Sequence, residues 1–209
     1  MAQLSAPQAY PLWVISPYYC APYPVDLGIV RKVLTVSDSS FVVTDTNGNT
    51  LFSCRIIVDA AGNPIVTIQD KVLIAHNRWQ AFRGESTDSK NLLFSARTRS
   101  MLYLKTKLDV YFAHNTTEKV CDFKVEGSWL DRSCVIYAGG SSTVIAKMHK
   151  KDAVQSILIG NDNFIVTVYP NIDYAFINPN IDYAFIVALI VILDEINNSS
   201  TTDIVAVQS

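Results

Sequence analysis

The chain has 209 residues, is 49% hydrophobic and 17% charged, and carries a net charge of −2 with a pI of ≈ 5.9. That length suits a single domain with one substantial core. The charge balance excludes a global field that would draw the protein to nucleic acid, so any anion-binding role must come from a local patch.

Residues 1–26 form a leader rich in proline and aromatic side chains, from Pro7 to Pro24. Prolines this dense interrupt helices and sheet ladders alike. The reading is a loose leader whose later part, from Tyr18, lies against the body of the protein. Its first residues lack the basic and apolar regions of a signal peptide, so secretion is not expected. Of the four cysteines, Cys20, Cys54, Cys121 and Cys134, none forms a Cys-x-x-Cys pair, and the three histidines are scattered. No metal-ligand set follows from that spacing. Cys121 and Cys134 fall on two arms of one hairpin turning near Leu130, which sets Cys134 opposite a residue near Glu126. Reduced thiols in a cytoplasmic or nuclear protein are the simplest reading.

From residue 27 the pattern is a series of short strands. Val30–Val36 is β-branched. Residues 41–52 read as a hairpin in which Asn47-Gly48 supplies the positive φ angles. Ile56–Val58 and Ile65–Ile68 flank a second turn at Ala61-Gly-Asn-Pro. Further strand signals lie at Val72–Ala75, Trp79–Phe82 and Leu92–Arg97. Between Leu102 and Phe112 apolar and polar residues alternate, the mark of one half-buried strand with a bend near Thr106. Phe123–Val125, Cys134–Tyr137, Val144–Met148, Ile157–Ile159 and Phe164–Tyr169 complete about a dozen strands with hairpin-length links. That spacing is expected of an antiparallel barrel.

The last element differs. Tyr183–Leu193 is apolar on every side of a helix, so it must be wrapped completely, by protein or by lipid. Asn180 can cap it, and Asp182 adds charge to the first turn. The run is shorter than the roughly 20 apolar residues that cross a bilayer. A barrel of about twelve strands has a lumen wide enough for one helix of about 10–12 Å diameter. The fold expected is therefore mainly β: a closed antiparallel barrel of about twelve strands over residues 27–197, around a buried hydrophobic helix at 181–196. Residues 198–209 read as a polar, frayed tail. Pro170–Ile177 recurs as Pro179–Ile186, and the first copy reads as an inserted loop or helical turn, or as an error in the gene sequence.

Several stretches in order carry a family resemblance: Tyr19-Cys-Ala-Pro-Tyr-Pro-Val-Asp, Arg78-Trp-Gln-Ala-Phe-Arg-Gly, Leu108-Asp-Val-Tyr-Phe, Cys121-Asp-Phe-Lys-Val-Glu-Gly-Ser-Trp-Leu and Val166-Thr-Val-Tyr-Pro-Asn-Ile-Asp-Tyr-Ala-Phe-Ile. From about Tyr18 to Asn197 the chain resembles the plant LURP-one-related proteins. That family is similar in fold to the tubby C-terminal domain and to phospholipid scramblases, a twelve-stranded barrel around a hydrophobic helix. The resemblance implies a link to plant defence and kinship with membrane-tethered transcription regulators of the tubby type. It brings no catalytic residues with it. The duplicated nonapeptide is a departure, since the family has one copy.

Arg97, Arg99, Lys105 and Lys107 are the densest basic pattern, and each pair shares a strand face. If the two segments are neighbouring strands, four cations converge and can hold a phosphoinositide headgroup; the bland alternative is a solvated outer face. Lys147, His149, Lys150 and Lys151 form a second cluster, read as an exposed strand end. Asp45–Asn49 lacks the glycine position and terminal glutamate of a calcium loop. Gly139-Gly140-Ser-Ser is a hairpin turn without the lysine of a phosphate loop. His76 and His114 read as structural, and Trp79 and Trp129 as core or rim packing.

The expected function is non-enzymatic, with no catalytic residue, metal or cofactor. The partner is an anionic phospholipid headgroup or a protein, in the cytoplasm, the nucleus or at a membrane surface. The alternative is a scramblase-like protein that uses Ala184–Leu193 as a membrane anchor.

Overall fold

The computed structural model describes all residues except 1–12, 36–37, 55–56, 72–77, 103–104, 130, 151–163, 171–181 and 207–209. Twelve antiparallel strands pair in chain order and β12 closes on β1, so the sheet is a barrel. They are β1 (Val25–Thr35), β2 (Asp38–Thr44), β3 (Thr50–Cys54), β4 (Ile57–Val58), β5 (Pro64–Lys71), β6 (Arg78–Arg83), β7 (Leu92–Leu102), β8 (Lys105–Phe112), β9 (Phe123–Ser128), β10 (Val135–Ala138), β11 (Val144–Lys150) and β12 (Phe164–Val168). The strand signals expected at 72–75 and 157–159, His76, Lys151, and nearly all of the first nonapeptide copy lie outside the described residues.

The helix α1 (Tyr183–Ala206) threads the lumen. Every residue from Ala184 to Leu193 is buried, none more than 5% exposed. Strands supply the wrapping that an all-round apolar helix needs. The Phe185 ring meets Phe94 at 5.1 Å, Phe123 at 5.0 Å and Phe112 at 6.2 Å, tying α1 to three neighbouring strands. Membrane anchoring by this segment would require it to leave the barrel. Among the described residues no helix is long and apolar enough to cross a membrane.

Four details differ from the sequence reading. The helix does not stop at 196 but continues to Ala206, so residues 198–206 are helical rather than a frayed tail. Asp182 is itself the cap, accepting the Phe185 N–H at 2.7 Å, which is the geometry of an N-cap bonding to the third helical residue. The segment 102–112 is not one bent strand: β7 ends at Leu102, β8 starts at Lys105, and the two residues pair with each other. The alternation had run through a two-residue link without losing phase, and no Gly, Asn or Pro announced the turn. Finally, the leader docks earlier than Tyr18. Val14 and Ile15 are buried, whereas Tyr18 is 90% exposed.

Two hairpins are built alike. In the β2–β3 turn Asp45 accepts the N–H groups of Asn47 and Asn49, both at 2.9 Å. In the β4–β5 turn Asp59 accepts those of Ala61 and Asn63 at 2.9 and 2.8 Å. Gly48 and Gly62 alone carry the positive φ, both 85°, so Asn47 does not share that role. Asp45 is thus committed to its own turn. Gly127 serves another purpose. A Cβ there would lie 2.5 Å from the Ser133 carbonyl oxygen, so only glycine lets the β9–β10 connection fold back so closely.

Candidate functional site

The register of β7, β8 and β9 decides what the four predicted cations can do. Arg97 stands opposite Asp109, and Asp109 opposite Lys124. Lys107 stands opposite Glu126. Strand alternation turns Leu108 and Val110 inward and Lys105, Lys107, Asp109 and Tyr111 outward. The two basic segments are therefore neighbours, and all four side chains lie on the outer face.

They are not equivalent. The pairing shifts between Thr98 and Ser100, which places Arg99 at a bulge. From there its Nε and Nη2 meet the two Asp109 oxygens at 2.8 and 2.6 Å. That ion pair spends the Arg99 charge on a carboxylate which is itself buried at 5% exposure. Arg97 donates to the Tyr111 hydroxyl at 3.1 Å and lies 5.5 Å from the centre of that ring. Arg78 makes a two-pronged bond to Glu118 at 2.6 and 2.7 Å. Lys105 and Lys107, by contrast, are exposed at the start of β8. The structure brings together all four predicted residues, but two lysines are available and two arginines are engaged. Asp109 and Tyr111 are the partners that the basic pattern alone missed. Their signal was present, since the period of two puts both on the face of Lys105 and Lys107.

The second basic cluster is more dispersed. Lys147 and Lys150 are exposed and His149 is half-buried on β11. Lys147 faces Thr167, whose hydroxyl donates to Asp26 at 2.6 Å.

A second polar site closes the mouth of the barrel, where α1 begins. The Asp182 carboxylate accepts N–H groups from Val14 and Ile15, across 168 and 167 residues of chain. Arg83 donates to the Ile15 carbonyl at 2.7 Å and clamps the same strap from its other side. Burial, partly offset by these bonds, pushes the Asp182 carboxyl up to about 6. Tyr19 packs edge to face on Phe52 at 5.3 Å and on Tyr183, the next residue after Asp182, at 5.5 Å. Beside them open two shallow clefts of about 220 and 290 Å³. Asp182 was read as a helix-dipole charge; its hold on the strap had no local signal.

Cys20, Cys121 and Cys134 are free thiols, and β9–β10 pairing sets Val135 opposite Glu126, one residue from the expected register. His114 is exposed, with its ring 5.5 Å from that of Phe112. Trp129 is buried and packs at 5.5 Å against Phe164, while Arg132 lies over both rings at 4.5 and 4.7 Å. Among the described residues there is no group of three or more His, Cys, Asp or Glu placed to hold a metal ion.

The same barrel occurs in known proteins. The chain is 43% identical to an Arabidopsis thaliana protein of known X-ray structure, with a TM-score of 0.65 over 88% of this chain and 98% of that one. Protein LURP-one-related 15 of Arabidopsis thaliana is 52% identical over 194 residues, covering 88% of this chain and 85% of its own length. Protein LURP-one-related 10 of the same plant is 50% identical over 201 residues, covering 91% of this chain and 99% of its own. The family model described as LURP-one-related matches residues 25–178, from the first strand past the last. The chain belongs to the LURP-one-related family.

Proposed function

We propose that this protein is a non-enzymatic binding module which attaches to anionic phospholipid, with phosphoinositide headgroups as the ligand class, through the outer face of β7 and β8. The observation that carries this reading is the pair Lys105 and Lys107. They share one strand face, are exposed, and have no carboxylate within ion-pair distance among the described residues. Arg97 stands beside them, fixed by Tyr111. A filled lumen supports a surface site, since α1 occupies the space where an interior ligand would sit. The resemblance to tubby-type regulators fits a peripheral membrane contact on the cytoplasmic side in a signalling or defence role.

Flotation with phosphatidylcholine vesicles containing phosphatidylinositol bisphosphate tests the reading. Association is expected at low salt and should weaken as salt is raised. Each cation near an anionic leaflet contributes roughly 1 kcal/mol, so Lys105→Ala with Lys107→Ala should lower partitioning about 30-fold. No association at low salt would retire the proposal.

A further inference from the structure

At the mouth of the barrel three aromatic rings arrive from three separate parts of the chain. Tyr19 ends the short turn Pro17–Tyr19 of the leader, Phe52 belongs to β3, and Tyr183 opens α1. Their planes are inclined to one another by 54–69° and their centres lie 5.3–5.9 Å apart. Phe52 is buried, whereas Tyr19 and Tyr183 are half-buried. All three line the cleft of about 290 Å³. Leu51, Ala60 and Ala61 extend its apolar wall, and Asp59 is the charged side chain in it.

The Asp59 carboxylate keeps its charge. Its hydrogen bonds come from Ala61 and Asn63, which are neutral. Those bonds, led by that of the Asn63 side chain, hold it below the usual carboxylate range. Among the described residues no Lys or Arg forms an ion pair with it. The Tyr19 phenol is pushed up by burial first, and then by the charges of Asp59 and Asp182. Aromatic faces and a nearby carboxylate attract the same thing, a cation, and the apolar wall favours one carried on an alkyl stem.

Tyr19 also lines the second cleft, of about 220 Å³. Ile15, Pro64 and Ile65 make its wall, and its charge is the opposite one, Arg83, which donates to the Ile15 carbonyl. That cleft suits an aliphatic side chain and repels a second cation. Both clefts fall below the roughly 300 Å³ at which small-molecule pockets begin, so each fits one side chain rather than a whole ligand. They meet at one ring, and side chains two residues apart in an extended segment are about 6.6 Å apart on one face.

We propose that the mouth of the barrel docks an extended segment of a partner protein. A Lys or Arg side chain of the partner lies against Tyr19, Tyr183 and Asp59, and an aliphatic side chain two residues away lies beside Pro64 and Ile65. A choline headgroup would offer the cation but nothing for the second cleft. The site is built from the leader, the β3–β5 region and α1, apart from Lys105 and Lys107 on β8. It stands or falls independently of the lipid-binding reading.

Titration of the ¹⁵N-labelled protein with the synthetic peptides acetyl-Gly-Lys-Thr-Leu-Gly-amide and acetyl-Gly-Leu-Thr-Lys-Gly-amide tests the proposal. At least one order should give saturable shifts of the Ala60, Ala61 and Gly84 amides. Norleucine in place of the peptide lysine should weaken binding about fivefold, the size of one exposed cation–π contact. Asp59→Asn keeps an acceptor for the turn and removes the charge, so it should narrow the gap between the lysine and norleucine peptides. Tyr183→Leu keeps apolar packing and removes an aromatic face, and should weaken the lysine peptide about threefold. Unshifted amides along β7–β9 verify the fold of each variant. Absence of saturable shifts with both lysine peptides, or a lysine preference untouched by both substitutions, would overturn the proposal. Phosphocholine binding the same amides more tightly than either peptide would also overturn it, in favour of a lipid headgroup.

Discussion

Asp182 accepts N–H groups from Val14, Ile15 and Phe185 while excluded from water, so one carboxylate caps the helix and anchors the strap. Asp182→Ala strands three buried donors, and by the usual cost of unsatisfied groups should lose about 3 kcal/mol or more, measured by urea melts. The pH dependence follows from the direction of its shift. Its folded pKa of about 6 lies above the ordinary 3.8, so the folded protein binds this proton more tightly than the unfolded chain does. The contribution is therefore fully present below about pH 4 and is lost as pH rises through 6. Wild type minus Asp182→Asn stability should fall across that window; a flat difference would contradict the assignment. The cap was legible in the sequence to within two residues. The strap was not, because the contact joins positions 168 residues apart.

At the scale of elements the sheet is uneven. Strand β4 has 2 residues, and among the described residues a single registered pair, Ser53 with Val58, joins β3 to β4. By contrast, β7 and β8 share eight registered pairs from Phe94–Phe112 to Leu102–Lys105. Few ladder bonds make an element cheap to open. Hydrogen exchange should be fastest along β3–β4–β5 and slowest along β7–β8–β9, and the reverse order would refute the seam. Alternation made β8 readable as a half-buried strand and put all four candidate cations on an outer face. It could not show which of them remain available. Arg99 is spent on Asp109 because a bulge, set by pairing with the next strand, aims it there.

For the whole molecule, α1 is the core and the barrel is its coat. Phe185 touches rings from β7, β8 and β9, so its loss is felt by the wall as well as the helix. Phe185→Ala should cost about 3–5 kcal/mol, the range for deleting a buried ring. It should lower the melting temperature in one cooperative transition. A separate early transition of the helix would show that coat and core fold independently.

The chain by itself determined the fold class. Period-two alternation, turn residues such as Gly48 and Gly62, and a helix with no polar side are local properties, and together they admit few arrangements other than a wrapped rod. Tertiary structure alone decided which charges are engaged and where the strap is held. Those depend on strand register and chain crossing. Both set distances between residues far apart in sequence, about which local composition carries no information.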